Sequence, residues 1–146
     1  MKARRSFRGF TLIEVLIVVV ILAVLAATII PQFTDSTDDA RRSSVKFNLH
    51  TLRAQIQLYK AQHNGMKPSA DLSELLKGTN LDGSDGTKYG PYIQSIPINS
   101  LTDKDTVKAI ATATVAAGDL TVGGGGWIYS TASGNIWIDH VDHYTE

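Results

Sequence analysis

One carboxylate, Glu14, lies inside a stretch that is otherwise apolar, GFTLIEVLIVVVILAVLAATIIP over residues 9–31. From Val15 to Thr34 no residue is charged. Twenty helical residues rise about 30 Å, close to the hydrocarbon thickness of a bilayer. A charge at mid-membrane costs about 2.5–3.5 kcal/mol on insertion scales, less near an interface. Glu14 therefore needs a compensating partner, and the chemistry it offers is charge neutralisation where the dielectric is low.

The rest of the chain carries no convincing catalytic set. There is no Gly-x-Ser-x-Gly elbow and no HExxH pair, and the sequence contains no cysteine. Gly123–Gly126 lacks the following Gly-Lys-Ser/Thr that a phosphate-cradling loop requires. The only cluster of ligand-type side chains is His140-Val141-Asp142-His143, next to Asp139. In an extended chain, alternation puts Asp139, Val141 and His143 on one face and His140 and Asp142 on the other, a poor arrangement for one metal ion.

The element that positions Glu14 is a lipid-length helix near the N-terminus. Lys2, Arg4, Arg5 and Arg8 precede it, and the positive-inside rule keeps that leader cytoplasmic with the remainder across the membrane. A plain anchor and a secretory signal peptide are the two simple readings; the run is long for a signal peptide, and only Val24-x-Ala26 offers a small-residue cleavage site. The 146 residues leave room for one modest domain beyond this segment. The charge is balanced overall at fourteen basic and fourteen acidic residues; without the four basic leader residues ten remain against fourteen, a net charge of about −4. No basic patch points to nucleic acid.

Arg8-Gly9-Phe10-Thr11-Leu12-Ile13-Glu14 resembles the prepilin signature of type IV pilins and type II secretion pseudopilins. The resemblance implies cleavage between Gly9 and Phe10 by a membrane prepilin peptidase, N-methylation of Phe10 by the same enzyme, and Glu14 as the assembly carboxylate. The ammonium so created at Phe10 and the Glu14 carboxylate of an adjacent subunit would neutralise one another at similar membrane depth. Pro31 lies 21 residues after Phe10; proline removes one helical hydrogen bond and clashes with the preceding turn, so a kink or local melting is expected there, unless Pro31 opens a new helix.

Beyond the apolar run, Asp35, Asp38 and Asp39 give way to Arg41, Arg42 and Lys46, a pattern that suits a solvated helix face or a neighbouring subunit. Val45, Leu49, Leu52, Ile56 and Tyr59 recur at spacings of 4, 3, 4 and 3 and form one apolar stripe. Phe47, Ala54, Leu58 and Ala61 form a thinner stripe opposite. A helix lying on one sheet needs a single apolar face, so the first stripe is expected against the domain and the second against other subunits. Asn64-Gly65 and then Pro68 end the helix. Residues 69–78 read as a short helix with Asp71 and Glu74 as a capping pair, residues 79–88 as loop, and residues 106–117 as irregular or strand. Trp127–Ser130 and Ile136–Asp139 read as a hairpin around Thr131–Asn135, with its Trp and Tyr packing on the sheet face.

The segment from Tyr59-Lys60 through Asn64-Gly65 to Pro68, and Gly90-Pro91-Tyr92, resemble the major pseudopilin. The Asp-Pro-Trp-Gly usual after the latter is replaced by Asn99-Ser100-Leu101-Thr102. The absence of cysteine leans the same way, since many type IV pilins carry a C-terminal disulfide. The resemblance also implies calcium held by oxygen ligands in the late strand loops, for which Asp85, Asp119 and Asp139 are the candidates, with no motif fixing them one by one.

The expected fold is α+β and pilin-like, a long N-terminal helix over about 10–63 packed on a small antiparallel β-sheet. The expected parts are a prepilin leader at 1–9, a transmembrane and assembly helix at 10–34, and a periplasmic globular domain at 35–146. The expected role is a non-enzymatic pseudopilus subunit. It would sit in the inner membrane and then in a periplasmic homo-oligomeric filament, with the inner-membrane assembly platform, minor pseudopilins and lipid as partners. The alternatives are a type IV or minor pilin for adhesion, motility or DNA uptake, and a monotopic anchored binding protein.

Overall fold

The computed structural model describes residues 9–145. The leader residues Lys2, Arg4, Arg5 and Arg8 lie outside them. Helix α1 spans Leu12–Gln62, 51 residues, and its backbone runs helical through position 31. The local melting expected at Pro31 is therefore not a feature of this chain by itself. By its internal contacts the chain divides into one unit ending at Asp39 and another beginning at Ala40.

In the first unit the apolar side chains of α1 from Leu12 to Ile30 are exposed. None of the helix's most apolar stretch is buried in protein, and α1 is long and apolar enough to cross a membrane. Apolar area left bare at this length finds its stable surroundings in lipid or against other helices. Asp35, Asp38 and Asp39 are exposed as well.

The second unit is organised by the stripe read from the sequence. Val45, Leu49, Leu52, Ile56 and Tyr59 are all buried and share one core with Leu72, Leu75, Trp127, Tyr129, Ile136 and Ile138. The opposite stripe is bare: Phe47 is 70% exposed and Leu58 44%. The Arg53 guanidinium ties α1 to the sheet, donating to the Ile136 carbonyl from Nε at 3.3 Å and from Nη2 at 3.1 Å. The helix stops where Asn64 and Gly65 enter the left-handed region (φ +54° and +82°). There the Gly65 N–H reaches back to the Lys60 carbonyl at 2.7 Å, as in a Schellman end.

The sheet has three strands in sequence order, β1 (Val107–Ile110), β2 (Trp127–Ser130) and β3 (Ile136–Ile138). β2 and β3 form the expected hairpin, with Trp127 opposite Ile138. β1 runs parallel to β2, with Val107 opposite Trp127, so the sheet is mixed rather than antiparallel. The connection over residues 111–126 is long enough for the crossover that a parallel pair needs. It contains one 3-10 turn, Ala117–Asp119.

Residues 69–78 do not make the short helix expected. Only Ser73–Leu75 forms a 3-10 turn, and Leu72 ahead of it is left-handed (φ 59°). The polar side chains take the local backbone donors instead. Asp71 Oδ1 accepts from the Ser73 N–H at 3.2 Å, and Glu74 Oε2 accepts from the Ser69 N–H at 2.8 Å. Such bonds compete with helix, and burial of Leu72 and Leu75 rewards the turn. Trp127 and Tyr129 are buried and donate to the carbonyls of Pro97 at 2.7 Å and Pro68 at 3.2 Å. Their role is packing with satisfied polar ends, as expected.

Candidate functional site

The head of α1 is built from Gly9, Phe10, Thr11 and Glu14. Thr11 precedes the first helical residue and acts as its N-cap. Its backbone N–H donates to Glu14 Oε2 at 2.8 Å and its hydroxyl donates to the same oxygen at 2.7 Å. The Glu14 N–H returns a bond to Thr11 Oγ1 at 3.3 Å. These reciprocal bonds are a capping box, which satisfies donors that every helix start leaves orphaned. The signature Thr-x-x-Glu is the sequence signal for this box. Both Thr11 bonds fall on Oε2, and Oε1 has no partner among the described residues.

Phe10 is 88% exposed. A Cβ placed on Gly9 would meet nothing within 4 Å. Neither crowding nor a left-handed backbone requires glycine there, so any requirement for a small residue at position 9 comes from outside the chain's own fold. On the surface of the helix Phe10, Glu14, Val15, Val18 and Val19 border one apolar groove.

The three aspartates named as oxygen donors are engaged separately. Asp85 is exposed and pairs with Lys77 at 2.5 Å. Asp119 Oδ2 accepts from the Ala116 N–H at 2.8 Å. Asp139 is buried, and its Oδ1 accepts from the Thr121 N–H at 2.9 Å. Among the described residues no group of three or more His, Cys, Asp or Glu side chains is placed to hold a metal ion. Calcium takes 6–8 oxygens, and the three aspartates do not come together as one such group among the described residues.

The His140–His143 segment is a turn rather than an extended strand. The His143 N–H donates to the His140 carbonyl at 3.1 Å, and the two rings lie 5.4 Å apart. Alternation therefore does not govern it, and the rings meet. Asp142 Oδ2 lies 3.9 Å from His140 Nδ1; this pair falls short of a three-ligand set.

Among the buried polar residues, His63 and Asn99 have partners that the sequence analysis leaves unassigned. His63 is buried and stacks on Tyr59 with ring centroids 3.8 Å apart. Its Nδ1 faces the Tyr59 carbonyl at 2.8 Å and its Nε2 the Thr79 hydroxyl at 3.0 Å. The signal was there: His63 continues the stripe four residues beyond Tyr59. Asn99, also buried, gave no such sign.

A lipid-length helix headed by a capped carboxylate, continuing into a helix-on-sheet core, defines the pilin-like class of filament proteins. Residues 4–30 match the prokaryotic N-terminal methylation motif. The chain is 35% identical to type II secretion system core protein G of Pseudomonas aeruginosa over 100 residues, 66% of this chain and 69% of that protein. It is 33% identical to the protein of the same name from Vibrio cholerae, over 66% of this chain and 67% of the relative. The type IV narrow pilus major component of Thermus thermophilus is 32% identical over 80 residues, 55% of this chain and 69% of that protein. No solved structure matches the chain. The chain belongs to the family of type II secretion system core protein G, the major pseudopilins. Its relatives are named as a core protein of type II secretion systems and as a major component of a type IV pilus.

Proposed function

We propose that the chain is the structural subunit of a type II secretion pseudopilus, stored in the inner membrane and drawn into a helical filament that drives protein export. The proposal includes no enzymatic role. The observation that carries this reading is the Thr11–Glu14 capping box at the head of an unburied apolar helix.

In this reading a prepilin peptidase cuts between Gly9 and Phe10 and methylates the new amine. The leader faces the cytoplasm, α1 crosses the inner membrane, and the domain from residue 35 onward lies in the periplasm. The Phe10 ammonium and Glu14 sit four residues apart in one subunit, yet Thr11 already holds one oxygen of that carboxylate. A neighbour's ammonium arriving at Oε1 completes the neutralisation without dismantling the cap. Only the axial register that brings the two together avoids leaving both charges unpaired, so register is specified by a penalty on every other alignment. The bare Phe47, Ala54, Leu58 and Ala61 face then packs against neighbouring subunits, and the missing proline donor at position 31 lets the helix bend as they close. Beyond sibling subunits the partners are the peptidase, the assembly platform, minor pseudopilins and lipid.

Intact-mass analysis of membrane fractions tests the processing step. A mature chain starting at Phe10 and carrying one added methyl group is expected. A start near Ala27 would mean signal-peptide cleavage and would refute the reading. The similarity to the Thermus thermophilus pilus component favours a second reading, a type IV pilin for adhesion, motility or DNA uptake. A deletion strain separates them: loss of exoprotein in the medium supports the first, and loss of surface pili with secretion intact supports the second.

A further inference from the structure

The late loops include a glycine-rich segment, Gly123–Gly126. Each of the last three carbonyls already has a protein donor. Lys104 Nζ donates to the Gly124 carbonyl at 2.6 Å. The Thr102 hydroxyl donates to Gly125 at 2.6 Å. The buried Asn99 amide donates from Nδ2 to Gly126 at 2.9 Å and to Gly125 at 3.2 Å.

The donors come from a segment that is itself closed. The Asn99 N–H donates to the Lys104 carbonyl at 2.8 Å, and the Asp103 N–H donates to the Asn99 carbonyl at 2.8 Å. Asn99 Oδ1 accepts from the Leu101 N–H at 2.9 Å. On the other side, Asp139 holds the loop through its carboxylate on the Thr121 N–H at 2.9 Å and its carbonyl on the Gly125 N–H at 3.0 Å. A Cβ at Gly125 would lie 2.0 Å from Asp139 Oδ2, so glycine is required for this approach.

We infer that Asn99, Thr102 and Lys104 form a side-chain clamp on the Gly124, Gly125 and Gly126 carbonyls, so that this chain orders its late loops without a divalent cation. The clamp stands apart from the filament reading and departs from the calcium that the family resemblance implies. A calcium ion at these carbonyls would have to displace the Lys104 ammonium, a like charge. It would also strip the Asn99 amide of both acceptors, leaving a buried donor unsatisfied. Asp139, the only buried carboxylate among the described residues, would supply one charge against two.

The test uses the full chain in detergent micelles, with millimolar calcium or with a chelator. The wild-type midpoint of thermal unfolding should agree within about 1 °C between the two conditions. An ion present at a hundred times its dissociation constant would raise it by roughly 10 °C in a domain of this size, and such a rise would overturn the inference. Lys104 is exposed, so Lys104→Met leaves the core intact and isolates the clamp. Amide hydrogen exchange at residues 121–126 should become several-fold faster in Lys104→Met and in Thr102→Val, with calcium failing to restore it. Unchanged exchange in both variants, or protection regained on adding calcium, would refute the clamp.

Discussion

Truncating Leu52 or Ile56 to alanine removes side chains that are fully buried between α1 and the sheet. Burial leaves no route for water to refill the space, so the loss combines transfer and cavity terms, about 2–5 kcal/mol for each substitution. The same truncation at Phe47, 70% exposed, or Leu58, 44% exposed, should stay within about 0.5 kcal/mol for the subunit alone. At roughly 4–8 °C per kcal/mol for a domain of this size, the core pair should lower the unfolding midpoint by at least 8 °C or so, and the surface pair by a few degrees at most. Thermal unfolding of full-length subunits in detergent, followed by circular dichroism, reads the difference. Filament yield reads the other half: Phe47→Ala and Leu58→Ala should weaken assembly at normal subunit levels. Equal stability losses for the two pairs would refute the assignment of one face to the core and the other to neighbours.

Gly9→Val should leave a precursor of full mass, whereas Gly9→Ala should be processed slowly, because a small residue remains; mass analysis of membranes distinguishes them. Thr11→Val removes the hydroxyl donor to Glu14 but keeps the backbone bond, and a lost cap costs about 1 kcal/mol. Faster amide exchange in the first turn of α1 should follow, with the core that begins at Val45 unchanged. The Tyr129 hydroxyl, pushed up to about 12 by burial and then by the charges of Glu74 and Tyr59, gives an alkaline prediction. The folded state holds that proton more tightly than the unfolded chain, so the contribution is complete below pH 10 or so and is lost as pH rises through about 12. Tyr129→Phe should flatten the fall in unfolding midpoint over that range; an unchanged alkaline slope would assign the loss to other groups.

The parts that were legible in the sequence are those where one physical signal dominates. The 4, 3, 4, 3 spacing of Val45, Leu49, Leu52, Ile56 and Tyr59 admits a single buried face, and all five are buried. Gly65 marks a helix end because the left-handed turn there favours glycine. The hairpin announces itself through two strand-like runs around Ser133-Gly134. What was not legible depends on contacts distant in sequence. The parallel pairing of β1 with β2 is set by a crossover whose Ala- and Thr-rich residues suit strand and helix alike. The left-handed Leu72 is stabilised by burial against the core, which no local pattern reveals. The role of Asn99 arises from carbonyls 26 and 27 residues away. Alternation in an extended chain separates His140 from His143, whereas the turn observed there brings their rings together. At the candidate site, the lone carboxylate in an apolar run marks Glu14, and the resemblance to the prepilin signature implies Gly9 and Phe10, while the bonds between Thr11 and Glu14 show the part that Thr11 plays.

Glu14 is proposed to serve assembly rather than folding or insertion. Its side chain is exposed and bonded only to Thr11 among the described residues, far in sequence from the core that begins at Val45. Glu14→Val removes a carboxylate that is costly in lipid, so membrane level of the subunit should equal or exceed wild type. The decisive measurement is filament yield in sheared fractions, divided by membrane level of the subunit, for Glu14→Val beside wild type. A ratio reduced at least tenfold is expected. A ratio equal to wild type would contradict the claim and leave Glu14 as an interfacial carboxylate on an anchor.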